Sequence, residues 1–139
     1  MTTEDGPVRQ MRVVVEAADY DEAVAFYRDV LGSVEELQIH GDDGEKVTIL
    51  DVGRATLEIS NPAQVDMIDR VEVGHRVSPH IRVAFEVGDA TEATDRLVRA
   101  GAVLVAPPTR TPWNSVNARL NGPAGLQLTL FEEPTTRSS

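Results

Sequence analysis

The stretch Asp19-Tyr20-Asp21-Glu22-Ala23-Val24-Ala25-Phe26-Tyr27-Arg28-Asp29-Val30-Leu31-Gly32 decides the fold. Asp19 suits a helix start, because a short carboxylate can accept from the open N–H groups of a first turn. Gly32 suits its end, where the chain often needs a left-handed residue. Between them Tyr20, Val24, Tyr27 and Leu31 recur at amphipathic spacing, so Tyr20–Leu31 is expected to be a helix with one buried face. An extended segment ending in Val15-Glu16-Ala17-Ala18 leads into it. Three strand-like segments follow, Val34–Ile39, Val47–Asp51 and Ala55–Ser60, with turns at Gly41-Asp42-Asp43-Gly44 and Gly53-Arg54.

The same pattern returns in the second half. Phe85-Glu86-Val87-Gly88-Asp89 leads into a helical stretch Ala90–Ala100, with Ala90, Ala93, Leu97 and Ala100 on one face and Gly101 behind it. Strand-like segments follow at Val103–Ala106, roughly Trp113–Leu120, and Leu126–Phe131, the last after the turn Asn121-Gly122-Pro123-Ala124-Gly125. The chain therefore reads βαβββ twice, an α+β arrangement with module 1 at about 9–61 and module 2 at about 80–132. Between them Asn61-Pro62 reads as a cap and a first helical proline, giving a short helix to about Arg70 and a crossing linker over Val71–Pro79. The tail, 133–139, has nothing to bury.

At 139 residues, 41% hydrophobic and 26% charged, the chain fits one soluble globular domain, 1–139. It holds no apolar run that could span a bilayer, so no membrane is expected as a partner. A polar, acidic start (Met1-Thr2-Thr3-Glu4-Asp5-Gly6) lacks the marks of a secretory signal, and the expected location is cytoplasmic. The net charge of −10 argues against nucleic acid, whose phosphates need a cationic surface. Zero cysteines exclude disulfides, thiolate catalysis and Cys-rich zinc sites. There is no phosphate-binding glycine loop and no Ser-centred nucleophile elbow.

Three segments carry a resemblance. The Asp19–Gly32 helix ends in Phe26-Tyr27, variable residues, then Leu31-Gly32; Ala55-Thr56-Leu57-Glu58-Ile59-Ser60-Asn61 resembles a fourth strand; and Pro112-Trp113 with Gly122-Pro123-Ala124-Gly125-Leu126-Gln127-Leu128 resembles a closing hairpin and last strand. Together, over roughly residues 9–132, they resemble the glyoxalase/bleomycin-resistance/dioxygenase superfamily, the vicinal oxygen chelate fold. The resemblance implies two βαβββ modules forming curved mixed sheets around a cup. It does not fix a reaction, since this fold hosts isomerases, lyases, dioxygenases and drug-binding proteins.

Metal-dependent members of that family place a His or Gln on the first strand of each half and a Glu on the last. Counting seven residues back from the capping Asp19 and Asp89 puts Arg12 and Arg82 in the first-strand places, 70 residues apart like the two aspartates. The last-strand places fall to Glu58 and Thr129. An arginine has no lone pair to donate, so neither a metal nor another cofactor is expected. The alternative is a register slip that gathers His80, Gln127 and Glu58 as a three-ligand set.

Strand alternation marks a polar face independently. Thr56, Glu58 and Ser60 share one side, as do His80, Arg82, Ala84 and Glu86; Gln127 and Thr129; and Trp113, Ser115, Asn117 and Arg119. Such a face can simply meet water, but in a cup it becomes a binding surface. The expected ligand-binding residues are Arg12, Glu58, His80, Arg82, Trp113, Asn117, Gln127 and Thr129, with Glu58 the candidate catalytic group. Arg12 can either pair with Glu58 or clamp an anionic or carbonyl-bearing ligand. His40 and His75 fall in turn or linker regions and are expected on the surface.

The resemblance then implies a metal-independent, homodimeric protein that binds a small organic molecule. The alternative is a glyoxalase-like lyase, or a metal-free isomerase with Glu58 as proton shuttle. Whether the chain is an enzyme stays open at this point. A dioxygenase, needing two His and a carboxylate, fits least.

Overall fold

In the computed structural model, which describes residues 6–53 and 55–134, strands and helices alternate as the repeat requires. The polar start through Asp5, Arg54 of the Gly53-Arg54 turn, and residues 135–139 of the tail lie outside the described residues. The strands are β1 (Val8–Glu16), β2 (Val34–His40), β3 (Lys46–Asp51), β4 (Thr56–Ser60), β5 (Ile81–Val87), β6 (Val103–Arg110), β7 (Val116–Asn121) and β8 (Gln127–Glu132). The helices are α1 (Tyr20–Val24), which continues as a π-helical segment over Ala25–Val30, α2 (Pro62–Glu72) and α3 (Ala90–Arg99). The fold class is mixed α+β. No helix among the described residues is long and apolar enough to cross a membrane.

The chain divides into two compact units, Arg12–Arg82 and residues 83–134 with 6–11. In the first the strand order is β2-β3-β4-β1, with β1 parallel to β4 and the other pairs antiparallel. In the second the order is β5-β8-β7-β6, with β5 parallel to β8. Each unit thus repeats one pairing scheme, the structural counterpart of the repeat in the sequence.

The core of the Arg12–Arg82 unit forms where Tyr20 and Val24 of α1 meet Leu50 and Ile59, with Leu57 against them. Period-2 alternation on β4 makes Leu57 and Ile59 apolar partners of the helix and turns Glu58 to the other face. Burying a side chain such as Leu50 or Ile59 contributes roughly 1.5–3 kcal/mol. Asp19 caps the helix as expected, its Oδ1 accepting from Glu22 N at 3.1 Å.

Beyond Val24 the helix departs from its expected pattern. Leu31 N donates to Phe26 O at 2.9 Å, an i→i+5 bond. The wider π turn rotates the following side chains out of phase with the α-helical stripe. Tyr27 and Leu31, expected on the buried face, are 38% and 64% exposed.

In the other unit Ala90 and Ala93 of α3 pack on Val87, Ala118, Leu120 and Leu130. Alanines let the helix approach the strands closely, and its N-terminus is held twice. Asp89 Oδ1 accepts from Glu92 N at 3.0 Å, and Glu132 Oε1 accepts from Ala90 N at 2.9 Å.

Asn61 caps α2, accepting from Gln64 N at 2.9 Å, but the helix runs past Arg70 to Glu72. The reason lies in Asp69, fully buried, whose carboxylate accepts from Val77 N and Ser78 N at 2.8 Å and from Ser78 Oγ at 2.7 Å. The linker is therefore tied down over the last helical turn.

Two strand boundaries also shift. β7 begins at Val116, not Trp113, because Thr111–Ser115 closes a turn: Thr111 N donates to Ser115 O at 2.8 Å and Asn114 takes φ 77°. Asn tolerates that left-handed conformation, so Trp113 sits on the turn and is 44% exposed. His80 precedes β5 at a bend and is exposed, its carbonyl accepting from Glu16 N at 3.1 Å.

Candidate functional site

In the parallel β1–β4 ladder Arg12 lies opposite Thr56 and Val14 opposite Glu58, so Arg12 and Glu58 are diagonal neighbours on one face. Their side chains meet: Arg12 Nη1 is 3.7 Å from Glu58 Oε1, with 18% and 15% of each exposed. Ser60 Oγ, two residues along the same face, donates to Glu58 Oε2 at 3.5 Å. Across β3, Glu58 lies opposite Ile49 and Ser60 opposite Val47. Ile49 in turn faces Leu37 of β2, and Val47 faces Ile39. The Glu58 face therefore joins the Arg12–Glu58 pair to apolar side chains, Val14 of β1, Val47 and Ile49 of β3, and Leu37 and Ile39 of β2. The apolar half was not anticipated, because the alternation of β2 and β3 gives no such clear polar set. Arg82, the other first-strand arginine, is buried.

In the second unit three of the expected residues, Asn117, Gln127 and Thr129, lie on β7 and β8, while Trp113 stays on the turn before them. Arg119 lies opposite Thr129, Asn117 opposite Phe131 and Asn121 opposite Gln127. Arg119 is fully buried and its Nη1 donates to Gln127 Oε1 at 3.0 Å. Asn117, Gln127 and Thr129 are also buried. Arg119 is the residue missed by the sequence-based selection. Its place on the polar face with Asn117 was the available signal.

A separate open cleft of about 530 Å³ in the Arg12–Arg82 unit is lined by Ala18, Asp19, Tyr20, Lys46 and Asn61, among others, and by none of the expected site residues. Burial raises the Tyr20 phenol above its ordinary pKa, partly offset by its hydrogen bond with Thr48. Lys46 Nζ stands 5.8 Å from the centre of the Tyr20 ring.

The four places to which the resemblance assigns metal donors hold Arg12, Glu58, Arg82 and Thr129. Two are cations without a lone pair, and the single carboxylate has a guanidinium 3.7 Å away. Among the described residues no three His, Cys, Asp or Glu side chains group as a metal site. These residues do not fit a divalent cation, which needs about three protein ligands even at a catalytic site.

The duplicated βαβββ plan, with parallel first and last strands in each unit, defines a paired-module α+β protein of the vicinal oxygen chelate type. A family model for the Glyoxalase/Bleomycin resistance protein/Dioxygenase superfamily matches residues 9–130, and the chain belongs to that superfamily. Solved structures agree on the fold. Methylmalonyl-CoA epimerase from Mycobacterium tuberculosis is 24% identical, with TM-score 0.68 over 95% of this chain and 93% of its own. A hypothetical protein from Bacillus halodurans is 13% identical, with TM-score 0.71 over 96% of this chain and 100% of its own. A Streptomyces coelicolor methylmalonyl-CoA epimerase in complex with 2-nitronate-propionyl-CoA is 20% identical, with TM-score 0.66 over 96% and 100%. Among curated proteins none matches the chain.

Proposed function

We propose that this chain is a metal-independent, homodimeric binding protein for a small organic molecule. The observation that carries the reading is the Arg12–Glu58 pair, at 3.7 Å, standing where relatives carry a first-strand and a last-strand donor. A guanidinium supplies fixed positive charge and forked donors, which suits a carboxylate or a polarised carbonyl. The apolar Val47 and Ile49 beside Glu58 suit a ligand with an organic body behind its charged end. Arg82, His80, Asn117, Gln127, Thr129 and Trp113 keep their expected ligand-binding roles within the same proposal, with His80 and Trp113 peripheral because both are exposed.

The test is a thermal-shift panel of methylmalonyl-CoA, other acyl-CoA thioesters, short-chain carboxylic acids and the cationic glycopeptide bleomycin, with Arg12→Ala beside the parent protein. The reading expects stabilisation by an acid or thioester that Arg12→Ala loses. A cationic ligand alone, unaffected by Arg12→Ala, would overturn it.

A second reading has a specific observation behind it: Glu58 is a largely buried carboxylate, and two of the three structural neighbours named above are epimerases of an acyl-CoA, a reaction that a proton-shuttling carboxylate could serve. Incubating a stabilising ligand in D₂O and following it by NMR separates the two. Deuterium uptake that Glu58→Gln abolishes supports an isomerase; a ligand recovered unchanged supports binding alone.

A further inference from the structure

The open cleft of the Arg12–Arg82 unit lies on the other side of the sheet from Glu58. On β3, Val47 and Ile49 share the Glu58 face, so Lys46 and Thr48 alternate onto the face that carries α1. The floor of the cleft is fixed before any ligand arrives, which lowers the cost of ordering a site. Tyr20 is buried in the cluster with Leu50 and Ile59, and its hydroxyl is bonded to Thr48. Asn61 braces the wall: its Oδ1 accepts from Lys46 N at 3.1 Å and Gln64 N at 2.9 Å, and its Nδ2 donates to Gly44 O at 2.7 Å.

Lys46 is the only lysine in a chain with 23 Asp and Glu residues, yet it forms no ion pair among the described residues. Arg28 and Arg76, by contrast, each hold two or more carboxylates. The Lys46 ammonium instead stands 5.8 Å from the centre of the Tyr20 ring, a weak attraction that leaves its N–H donors for the cleft. Asp21 and Asp19 line the same cleft. Asp19 Oδ1 accepts from Glu22 N, which leaves Oδ2, and the Asp21 carboxylate makes no hydrogen bond or ion pair among the described residues.

Charge decides which ligand fits. The lining carries one ammonium and two carboxylates. Around it, His40 lies opposite Lys46 on β2, and Asp42 and Asp43 are exposed on the adjoining turn. Glu45 of that turn is buried and accepts from Asp43 N. A simple anion drawn to Lys46 is repelled by these acids, and a simple cation drawn to Asp19 and Asp21 is repelled by Lys46. A molecule carrying both charges satisfies each side. The 11-residue helix α2 starts at Pro62, on the cleft wall beside Lys46, and its positive end favours the ligand's carboxylate there. The volume of about 530 Å³ suits a small molecule, with Ala18 and Pro62 as apolar contacts for its body.

We propose that this cleft binds a free amino acid, its carboxylate on Lys46 and its ammonium on Asp19 and Asp21. The cleft shares no residue with the Arg12–Glu58 face, so either site can fail while the other stands.

The single lysine supplies the probe. Lysine-selective ¹⁵N labelling leaves one backbone amide in the NMR spectrum, that of Lys46, whose N–H is bonded to Asn61 in the cleft wall. Glycine, leucine and γ-aminobutyrate are titrated to millimolar concentrations, with acetate and methylamine as controls at matched pH and ionic strength. The expected result is a saturable shift with at least one amino acid and none with acetate or methylamine. Asp21→Asn, at an exposed position where the fold tolerates it, should raise the Kd at least about 10-fold. Asp95→Asn, the same charge change on the exposed side of α3, should leave the Kd unchanged. No saturable shift with any of the three amino acids overturns the proposal. So does acetate matching them, which marks a plain anion site, or an equal loss in both variants, which marks the field of the whole chain.

Discussion

Asp69→Ala is the substitution whose cost the structure fixes best. The wild-type carboxylate is fully buried at the end of α2 and holds the linker through Val77 N, Ser78 N and Ser78 Oγ, at 2.8, 2.8 and 2.7 Å. Hydrogen bonds to a charged group contribute roughly 1.5–3 kcal/mol each. Two effects reduce the sum: the carboxylate is costly to desolvate, and Val77 and Ser78 are half-buried, so water can reach them once it is gone. The expected net loss is about 3 kcal/mol, a large share of the ~5–15 kcal/mol that holds a domain together. For a chain of this length that lowers Tm by roughly 10 °C. Circular dichroism melts with urea titrations at 25 °C measure it. Arg76→Ala is the comparison: Arg76 reaches Glu16 at 2.7 Å, also pairs with Asp66 and stands 3.8 Å from Asp69 Oδ2, yet is 40% exposed, so its pairs are screened by water. Its loss should stay below about 1 kcal/mol. If Asp69→Ala costs less than about 1 kcal/mol, or no more than Arg76→Ala, the reasoning from burial and donor count is refuted.

Tyr20 gives a pH dependence. Burial raises its folded-state pKa above the ordinary 10.0, so its contribution is fully present below about pH 10 and is lost as pH climbs through the folded value. Urea titrations from pH 8 to 11 should show stability falling at the alkaline end, and Tyr20→Phe should flatten that part of the fall; an unchanged slope contradicts the assignment. Gly101 takes φ +114° with open space where a side chain would stand, so Gly101→Ala should cost about 1 kcal/mol from backbone strain alone, read from the same titrations. Glu58→Ala separates the two roles of the Arg12 pair. Lost stability with unchanged ligand binding marks a structural bridge, and lost binding at equal Tm marks a ligand-facing carboxylate.

The repeat and the two helix caps were legible because each rests on local chemistry: Asp19 and Asp89 hold the N–H groups their spacing implied. Apolar alternation on β4, β7 and β8 likewise placed Leu57, Ile59, Ala118, Leu120 and Leu130 in the cores. The π segment was not legible, since its side-chain sequence satisfies an α-helical stripe and only the i→i+5 bond at Phe26–Leu31 betrays the wider turn. Trp113 was misplaced because a strand pattern continues through residues that a turn actually uses. Of the candidate site, the diagonal Arg12–Glu58 meeting followed from residue offsets, whereas the burial of Arg119 depends on the β7–β8 register, which a single strand cannot reveal.

The central claim, a vicinal oxygen chelate protein working without a metal, is met most directly by a melt series on chelator-stripped protein with Ni²⁺, Co²⁺, Zn²⁺, Mn²⁺ and Fe²⁺. A ligand at about a hundred times its Kd stabilises by roughly 2.7 kcal/mol, a shift of several degrees. The account predicts that none of the five ions moves Tm beyond replicate error. A rise of several degrees with one ion, abolished by Glu58→Ala, would contradict it.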